Sequence, residues 1–194
     1  MIKKIYQAVF LLFVPLLLFC TSCVERRNGY QVVGLWEGEG FEVKYRDTTL
    51  TLSPRFIFVP DRNDAERGEV EVRGTYDMFT PETNSVYATH AQGDFLIRGE
   101  WYATKDGVQL MFRTDDAKAS MNEISLVGAP SERAQIYKVA NSENRQTKVQ
   151  TSKTVVAFLE EFLEDENEEA EIQFKEGDRM AVMWNSSDWL LYRD

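Results

Sequence analysis

Residues 95–112 read FLIRGEWYATKDGVQLMF and contain two apolar runs separated by a turn. In the first run, apolar side chains recur at alternate positions, which is the period of a strand with one buried face. They are Phe95, Ile97, Trp101 and Ala103. The dipeptide Asp106-Gly107 accepts the positive φ angles that tight hairpins require. The apolar series resumes after it at Val108, Leu110 and Phe112. The stretch therefore predicts a β-hairpin with one buried face.

The same alternation continues over most of the chain. Alternating runs occupy residues 41–46 and 70–78, and further candidate strands are 48–52, 55–59, 86–90, 122–127 and 134–139. A final hairpin is predicted from strands at 180–184 and 188–192. Many short strands joined by turns favour an antiparallel meander that closes as a barrel or packs as a sandwich. We therefore expect a mainly β fold.

Residues 151–166 have a different period. Their apolar side chains recur at intervals of three and four residues, which places them on one face of a helix. They are Val155, Phe158, Leu159, Phe162 and Leu163. Thr151 or Ser152 can cap the first turn. We expect one amphipathic helix near the C-terminus, packed against the sheet after a polar linker at residues 141–150.

Composition and charge narrow the class of protein. The chain has 194 residues, of which 43% are hydrophobic, and this is enough for one domain with a packed core. Its formal net charge is -10. A protein that binds nucleic acid needs a basic surface to displace phosphate counterions. No nucleic-acid partner is therefore expected.

The first 22 residues have the organisation of a secretory signal peptide. Lys3 and Lys4 precede an apolar run over residues 9–20, and the small residues Thr21-Ser22 follow it. A membrane-spanning helix needs about 20 apolar residues, whereas this run is shorter and contains Pro15. We therefore expect residues 1–22 to be removed rather than retained as an anchor.

The segment Thr21-Ser22-Cys23 resembles the lipobox of bacterial lipoproteins, in the looser form typical of Bacteroidota. The resemblance implies cleavage before Cys23, diacylglycerol on its thiol, and a polar tether over residues 23–31. It also implies an outer-membrane lipoprotein of the cell envelope that faces the periplasm or the exterior. Cys20 would leave with the signal peptide. The Cys-x-x-Cys spacing then holds no redox dithiol or zinc site, since no other cysteine is present and His90 is the only histidine.

The folded region opens on Val33-Gly34-Leu35-Trp36, and the Gly34-x-Trp36 pattern resembles the lipocalin motif. In lipocalins this tryptophan closes one end of the barrel, often against a basic residue near the last strand. The resemblance implies a lipocalin-like β domain over residues 32–194, with Arg193 as the cation that contacts Trp36. The alternative is that Trp36 is simply a core aromatic in another antiparallel β fold.

Several aromatic side chains belong to the apolar face of the predicted strands. They either line a cavity for a small apolar ligand or fill the interior completely, as in small closed barrels. The set is Trp36, Phe41, Phe56, Phe58, Phe95, Trp101 and Phe112.

No catalytic signature stands out. A serine hydrolase would depend on His90, and no Gly-x-Ser-x-Gly sequence supplies a strained nucleophile. A pair of carboxylates could catalyse glycoside hydrolysis, but the sequence has 32 acidic residues and does not indicate which two would form such a pair. Asp165-x-Asn167-x-Glu169 resembles the start of a calcium loop, yet Ala170 stands where the loop requires glycine. No catalytic residue, metal or cofactor is therefore expected.

Asp47-Thr48-Thr49 resembles the motif that receives O-glycans in exported Bacteroidota proteins, which makes Thr48 a candidate acceptor; an ordinary turn is the alternative. The chain as a whole predicts a non-enzymatic module that is anchored to the membrane through Cys23. We expect it to bind a small apolar ligand or an envelope protein. The alternatives are a structural or assembly lipoprotein and a carboxylate-dependent hydrolase.

Overall fold

The computed structural model describes residues 23–45, 47–82, 87–164, 170–175, 178–184 and 187–193. The predicted signal peptide (1–22), the calcium-loop-like residues 165–169 and the first two residues of the last predicted turn (185–187) lie outside the described residues. Helix α1 comprises residues 23–32, α2 is Ser131–Ser142 and α3 is Arg145–Glu164. The described strands are β1 Gly34–Gly38, β2 Phe41–Tyr45, β3 Thr48–Asp61, β4 Asp64–Thr80, β5 Ala88–Ala103, β6 Val108–Val127, β7 Ala170–Phe174, β8 Arg179–Trp184 and β9 Ser187–Arg193.

The strands form an antiparallel meander whose two ends meet. Strands β3 to β6 pair in chain order, and β7, β8 and β9 continue the sheet from β6. Strand β1 then pairs with β9 on one side and with β3 on the other, which joins the sheet into a ring. The predicted mainly β fold with an antiparallel meander is confirmed, although the ring does not form a regular barrel.

Unequal strand lengths make the ring irregular. Strand β6 has 20 residues, whereas its neighbour β7 has 5 and pairs only with 108–110. Helix α3 packs against β6 and contributes a buried apolar face to the core. The buried apolar residues of this face are Val155, Phe158, Leu159 and Leu163. Helix α3 therefore covers the core beside the part of β6 that the short strand β7 does not reach.

Strand β3 is one long strand, where the sequence predicts two. Ser53-Pro54 looks like a break, because proline cannot donate a hydrogen bond to a neighbouring strand. In the structure β2 pairs with β3 up to Leu52, and β1 pairs with it from Arg55 onward. Pro54 thus falls opposite the interruption between β1 and β2, so its missing N–H disrupts no ladder on that edge.

The predicted strand at Ala134–Val139 is wrong, because these residues lie within helix α2. The helix has no buried residue, and Ile136 and Val139 are 63% and 64% exposed. Because α2 buries no side chain, its sequence lacks an apolar face with the helical period. The short alternation of apolar and polar residues over 134–139 therefore favoured a strand.

Helix α3 begins earlier than predicted, at Arg145. The Oδ1 atom of Asn144 accepts hydrogen bonds from the backbone N–H groups of Gln146 and Thr147, at 2.9 and 3.1 Å. These contacts are an N-terminal cap, which satisfies donors that the first helical turn leaves unpaired. Much of the predicted linker at 141–150 is therefore helical.

Candidate functional site

Trp36 and Arg193 lie together at the end of the ring where β1 begins and β9 ends. They are directly opposed across the two strands, and the Arg193 guanidinium carbon lies 4.7 Å from the centroid of the Trp36 ring. The Nη2 atom of Arg193 also donates to the carbonyl oxygens of Gln31 and Val33, both at 2.9 Å. Trp36 Nε1 donates to the carbonyl oxygen of Val32 at 2.7 Å. The pair thus binds the carbonyl groups at the C-terminal end of α1, which lack helical partners.

Helix α1 occupies the segment predicted as a polar tether, and its second half packs against the ring. Asn28 Nδ2 donates to the carbonyl oxygen of Thr104 at 2.8 Å. Gly29 approaches β4 so closely that a Cβ there would lie 1.9 Å from the carbonyl oxygen of Ala65. Residues 28–32 therefore belong to the folded domain, because tertiary contacts stabilise a helix whose own sequence is largely polar.

We expect the Arg193→Gln substitution to lower the free energy of unfolding by about 1–2 kcal/mol. It removes a cation–π contact and the charge at the C-terminal end of α1, each worth about 0.5–1 kcal/mol. Urea denaturation followed by circular dichroism measures the change. Arg62→Gln, in the exposed turn between β3 and β4, is the control. Equal unfolding midpoints for the two variants would show that the contacts of Arg193 do not stabilise the packing of α1 against the sheet.

Five of the seven aromatic residues in the predicted set are buried in the core. Phe56, Phe58 and Trp101 are almost fully buried, as are Trp36 and Phe95, whereas Phe41 and Phe112 are half-buried. The space lined by rings of the sheet and by α3 has a volume of about 20 Å³. Pockets for small molecules have volumes of about 300–1,000 Å³, so these rings form a packed core at this point.

Ring contacts also connect α3 to β2 and β9, through Phe162, Phe41 and Trp189. The rings of Phe41 on β2 and Trp189 on β9 are stacked, with centroids 3.9 Å apart. The Phe162 ring on α3 lies 5.8 Å from the Trp189 ring. The helical period of the sequence placed Phe162 on the apolar face of α3. The contact of Trp189 with this face could not be predicted from the sequence, because it depends on which strands are paired.

A groove of about 780 Å³ lies on the outer face of β1, β3, β4 and β5. Arg55 on β3 and Arg73 on β4 line it and are directly opposed across the two strands. Arg55 Nε lies 2.8 Å from a carboxylate oxygen of Glu37, and Arg73 Nε donates to Glu71. The hydrogen bond from Arg73 is the main cause that holds the pKa of Glu71 below its usual value.

Tyr76 is a buried polar residue beneath the same sheet. Its hydroxyl has no hydrogen-bond partner among the described residues. Burial, with a smaller contribution from the negative charge of Asp94, raises the pKa of Tyr76 to about 12. The phenol ring of Tyr76 occupies the space that a side chain at position 93 would need, since a Cβ on Gly93 would lie 2.7 Å from the Tyr76 hydroxyl.

The remaining candidate residues are dispersed. His90 Nε2 lies 2.9 Å from Asp77 Oδ1. Thr48, the first residue of β3, is half-buried, and its Oγ1 lies 3.5 Å from Oγ1 of Thr80. Cys23 is exposed. Within the described ranges, no group of three or more histidine, cysteine, aspartate or glutamate side chains is placed to hold a metal ion.

In the part of the chain that the structure describes, no helix has both the length and the apolar character needed to cross a membrane. Comparison with known proteins gives no match: no family model, curated protein or solved structure matches this chain.

Proposed function

We propose that this protein is a non-enzymatic binding module of the cell envelope, anchored through lipid on Cys23. The observation that carries the proposal is the order of the N-terminal residues: two lysines, an apolar run and then Thr21-Ser22-Cys23. The exposure of Cys23 is compatible with a modified thiol at this position. The resemblance to Bacteroidota lipoboxes, together with Val24 after the cysteine, favours the outer membrane.

Helix α1 would hold the lipid on Cys23 at a short and nearly fixed distance from the domain. At about 1.5 Å of rise per residue, Cys23 lies roughly 14 Å along the helix from Val32, which is fully buried in the core. The contacts of Asn28 and Arg193 attach the same helix to the ring. We therefore propose that the end of the ring near Trp36 stands close to the membrane surface.

The small space among the core rings supports a role for the outside of the ring in binding. The space among the core rings is about 20 Å³, whereas the outer groove is about 780 Å³ and lies within the size range of small-molecule sites. The groove lies among strands rather than on long loops, so its side chains have fixed spacing. We propose the outer groove as the binding site.

Labelling of cells with a fatty-acid probe tests the anchor. We expect complete loss of label from the Cys23→Ser variant, because no thiol remains at the proposed cleavage site to accept diacylglycerol. The Cys20→Leu variant is the matched control, and it should keep the label because it restores the residue most lipoboxes carry. Label on Cys23→Ser, or loss from Cys20→Leu alone, would contradict the assignment.

A further inference from the structure

We propose that the outer groove binds a ligand with one anionic group, a carboxylate or a phosphate, attached to an apolar body. The anion would lie between Arg55 and Arg73. This inference rests on the proposed role of the groove as the binding site. It adds the chemical class of the ligand.

The two arginines present unused donors to the same space. Residues directly opposed on antiparallel strands have Cβ atoms about 4.5–5.5 Å apart, and like charges in this arrangement repel each other. Each arginine uses Nε to bind a carboxylate, Glu37 for Arg55 and Glu71 for Arg73. The Nη groups of both have no hydrogen-bond partner among the described residues. An anion between them would relieve the repulsion and accept charge-assisted hydrogen bonds.

Two hydroxyl groups lie beside the arginines. Ser53 is the next outward-facing residue of β3 and Thr75 the next of β4, and the two are directly opposed. Both are exposed and line the groove. Oxygen atoms of a carboxylate or phosphate accept hydrogen bonds from hydroxyls as well as from guanidinium groups. The four side chains therefore form a block of donors on two neighbouring strands.

Two acidic residues line the groove on either side of the four donors, with Glu37 directly opposed to Arg55 and Asp94 directly opposed to Thr75. Glu37 is on β1 at one side and accepts from Arg55, and Asp94 is on β5 at the other side and accepts from Asn122 Nδ2 at 2.8 Å. Glu71 binds Arg73 and also lies 3.4 Å from Arg98 Nε. Glu37 and Glu71 occupy only the Nε donors of Arg55 and Arg73, and Asp94 accepts from Asn122, so the Nη donors of the two arginines remain in the middle of the groove.

Apolar side chains line the groove on both sides of the donor block. Leu35 on β1 is directly opposed to Ile57 on β3, and Leu96 on β5 is directly opposed to Arg73. Leu35 is 39% exposed, and Ile57 and Leu96 are half-buried, so all three apolar side chains are accessible from the groove. These walls fit an apolar body next to the anion, so inorganic phosphate alone would use only part of the site.

Titration calorimetry of the full chain in phosphatidylcholine nanodiscs tests the proposal. The probes are phenyl phosphate, inorganic phosphate, benzyl alcohol and dihexanoyl phosphatidylglycerol. We expect phenyl phosphate to bind more tightly than inorganic phosphate, which lacks the apolar body, and than benzyl alcohol, which lacks the anion. Tighter binding of the short-chain lipid would assign the site to a lipid headgroup, and tighter binding of phenyl phosphate to a free organic anion.

Variants separate the groove from general electrostatics. Arg55→Gln and Arg73→Gln should each weaken binding of the tighter probe by about 10-fold or more, the usual effect of losing a hydrogen bond to a charged group. Arg113→Gln is the control, since Arg113 lies on the same outer face, pairs with Glu100 and does not line the groove. Thermal unfolding should show little change for Arg73→Gln, because the substitution removes an exposed ion pair with Glu71 together with the like-charge pair with Arg55.

Two results would overturn the proposal. One is the absence of binding of both phenyl phosphate and the short-chain lipid at millimolar concentration. The other is equal affinity of the Arg55→Gln, Arg73→Gln and Arg113→Gln variants. Neither result bears on lipid attachment, which the labelling of Cys23 measures separately, so failure of the anchor and failure of the anion site are distinguishable.

Discussion

Replacing Trp101 with alanine is expected to lower the free energy of unfolding by about 3–5 kcal/mol. The indole is fully buried on β5, and its Nε1 donates to the carbonyl oxygen of Val59 at 3.3 Å. It also covers the directly opposed Gly68, where a Cβ would lie 2.9 Å from Nε1. The alanine variant would therefore leave a cavity and also remove a partly buried hydrogen bond.

Urea denaturation followed by circular dichroism measures this loss independently of tryptophan fluorescence. Met111→Ala is the control, because Met111 lies on the paired strand β6 and is 48% exposed. Exposed substitutions of this kind change stability by about 0.5 kcal/mol or less. If the two variants lost equal stability, Trp101 would not be a central core residue.

Stability is expected to fall by about 2 kcal/mol between pH 10 and pH 12 because of Tyr76, since each pH unit between the two pKa values corresponds to about 1.4 kcal/mol and each state is half ionised at its own pKa. Burial raises the pKa of Tyr76 from 10.0 in the unfolded chain to about 12 in the folded protein. Below pH 10 both states keep the phenolic proton, and the contribution is fully present. As the pH rises above 10 the unfolded chain releases the proton first, so the contribution is lost progressively up to the folded pKa.

The Tyr76→Phe variant isolates this contribution. Denaturant unfolding at several alkaline pH values should show a shallower fall for the variant than for the wild type. At pH 8 the variant should be at least as stable, because the hydroxyl has no hydrogen-bond partner among the described residues. Parallel stability curves for the two proteins would mean that the Tyr76 hydroxyl titrates normally.

The sheet was predictable because its strands bury one face only. Period-two alternation identified the inward rows of β4, β5 and β6, and Asp106-Gly107 indicated the hairpin between β5 and β6. The contact of Trp36 with Arg193 was expected only from the resemblance to the lipocalin motif, and in the structure the two residues are directly opposed because β1 pairs with β9. Helix α3 was recognisable because one apolar stripe packs against the core.

Other elements left no comparable pattern. Helix α2 buries no residue, and α1 depends on contacts with Thr104, Ala65 and Arg193 that are distant in sequence. The outer groove depends on register. Arg55 and Arg73 each look like ordinary polar positions of a strand, and only the pairing of β3 with β4 makes them neighbours.

The pairing of β1 with β9 has a consequence for the order of folding. Val33 and Arg193, which meet at this junction, are 160 residues apart in the chain. Contacts of such long range slow folding, because the entropy of closing the loop is lost before the contact contributes. During synthesis β1 can pair with β3 early, but its other edge stays exposed until β9 is complete. We therefore expect nascent chains that lack β9 to be prone to aggregation through that edge.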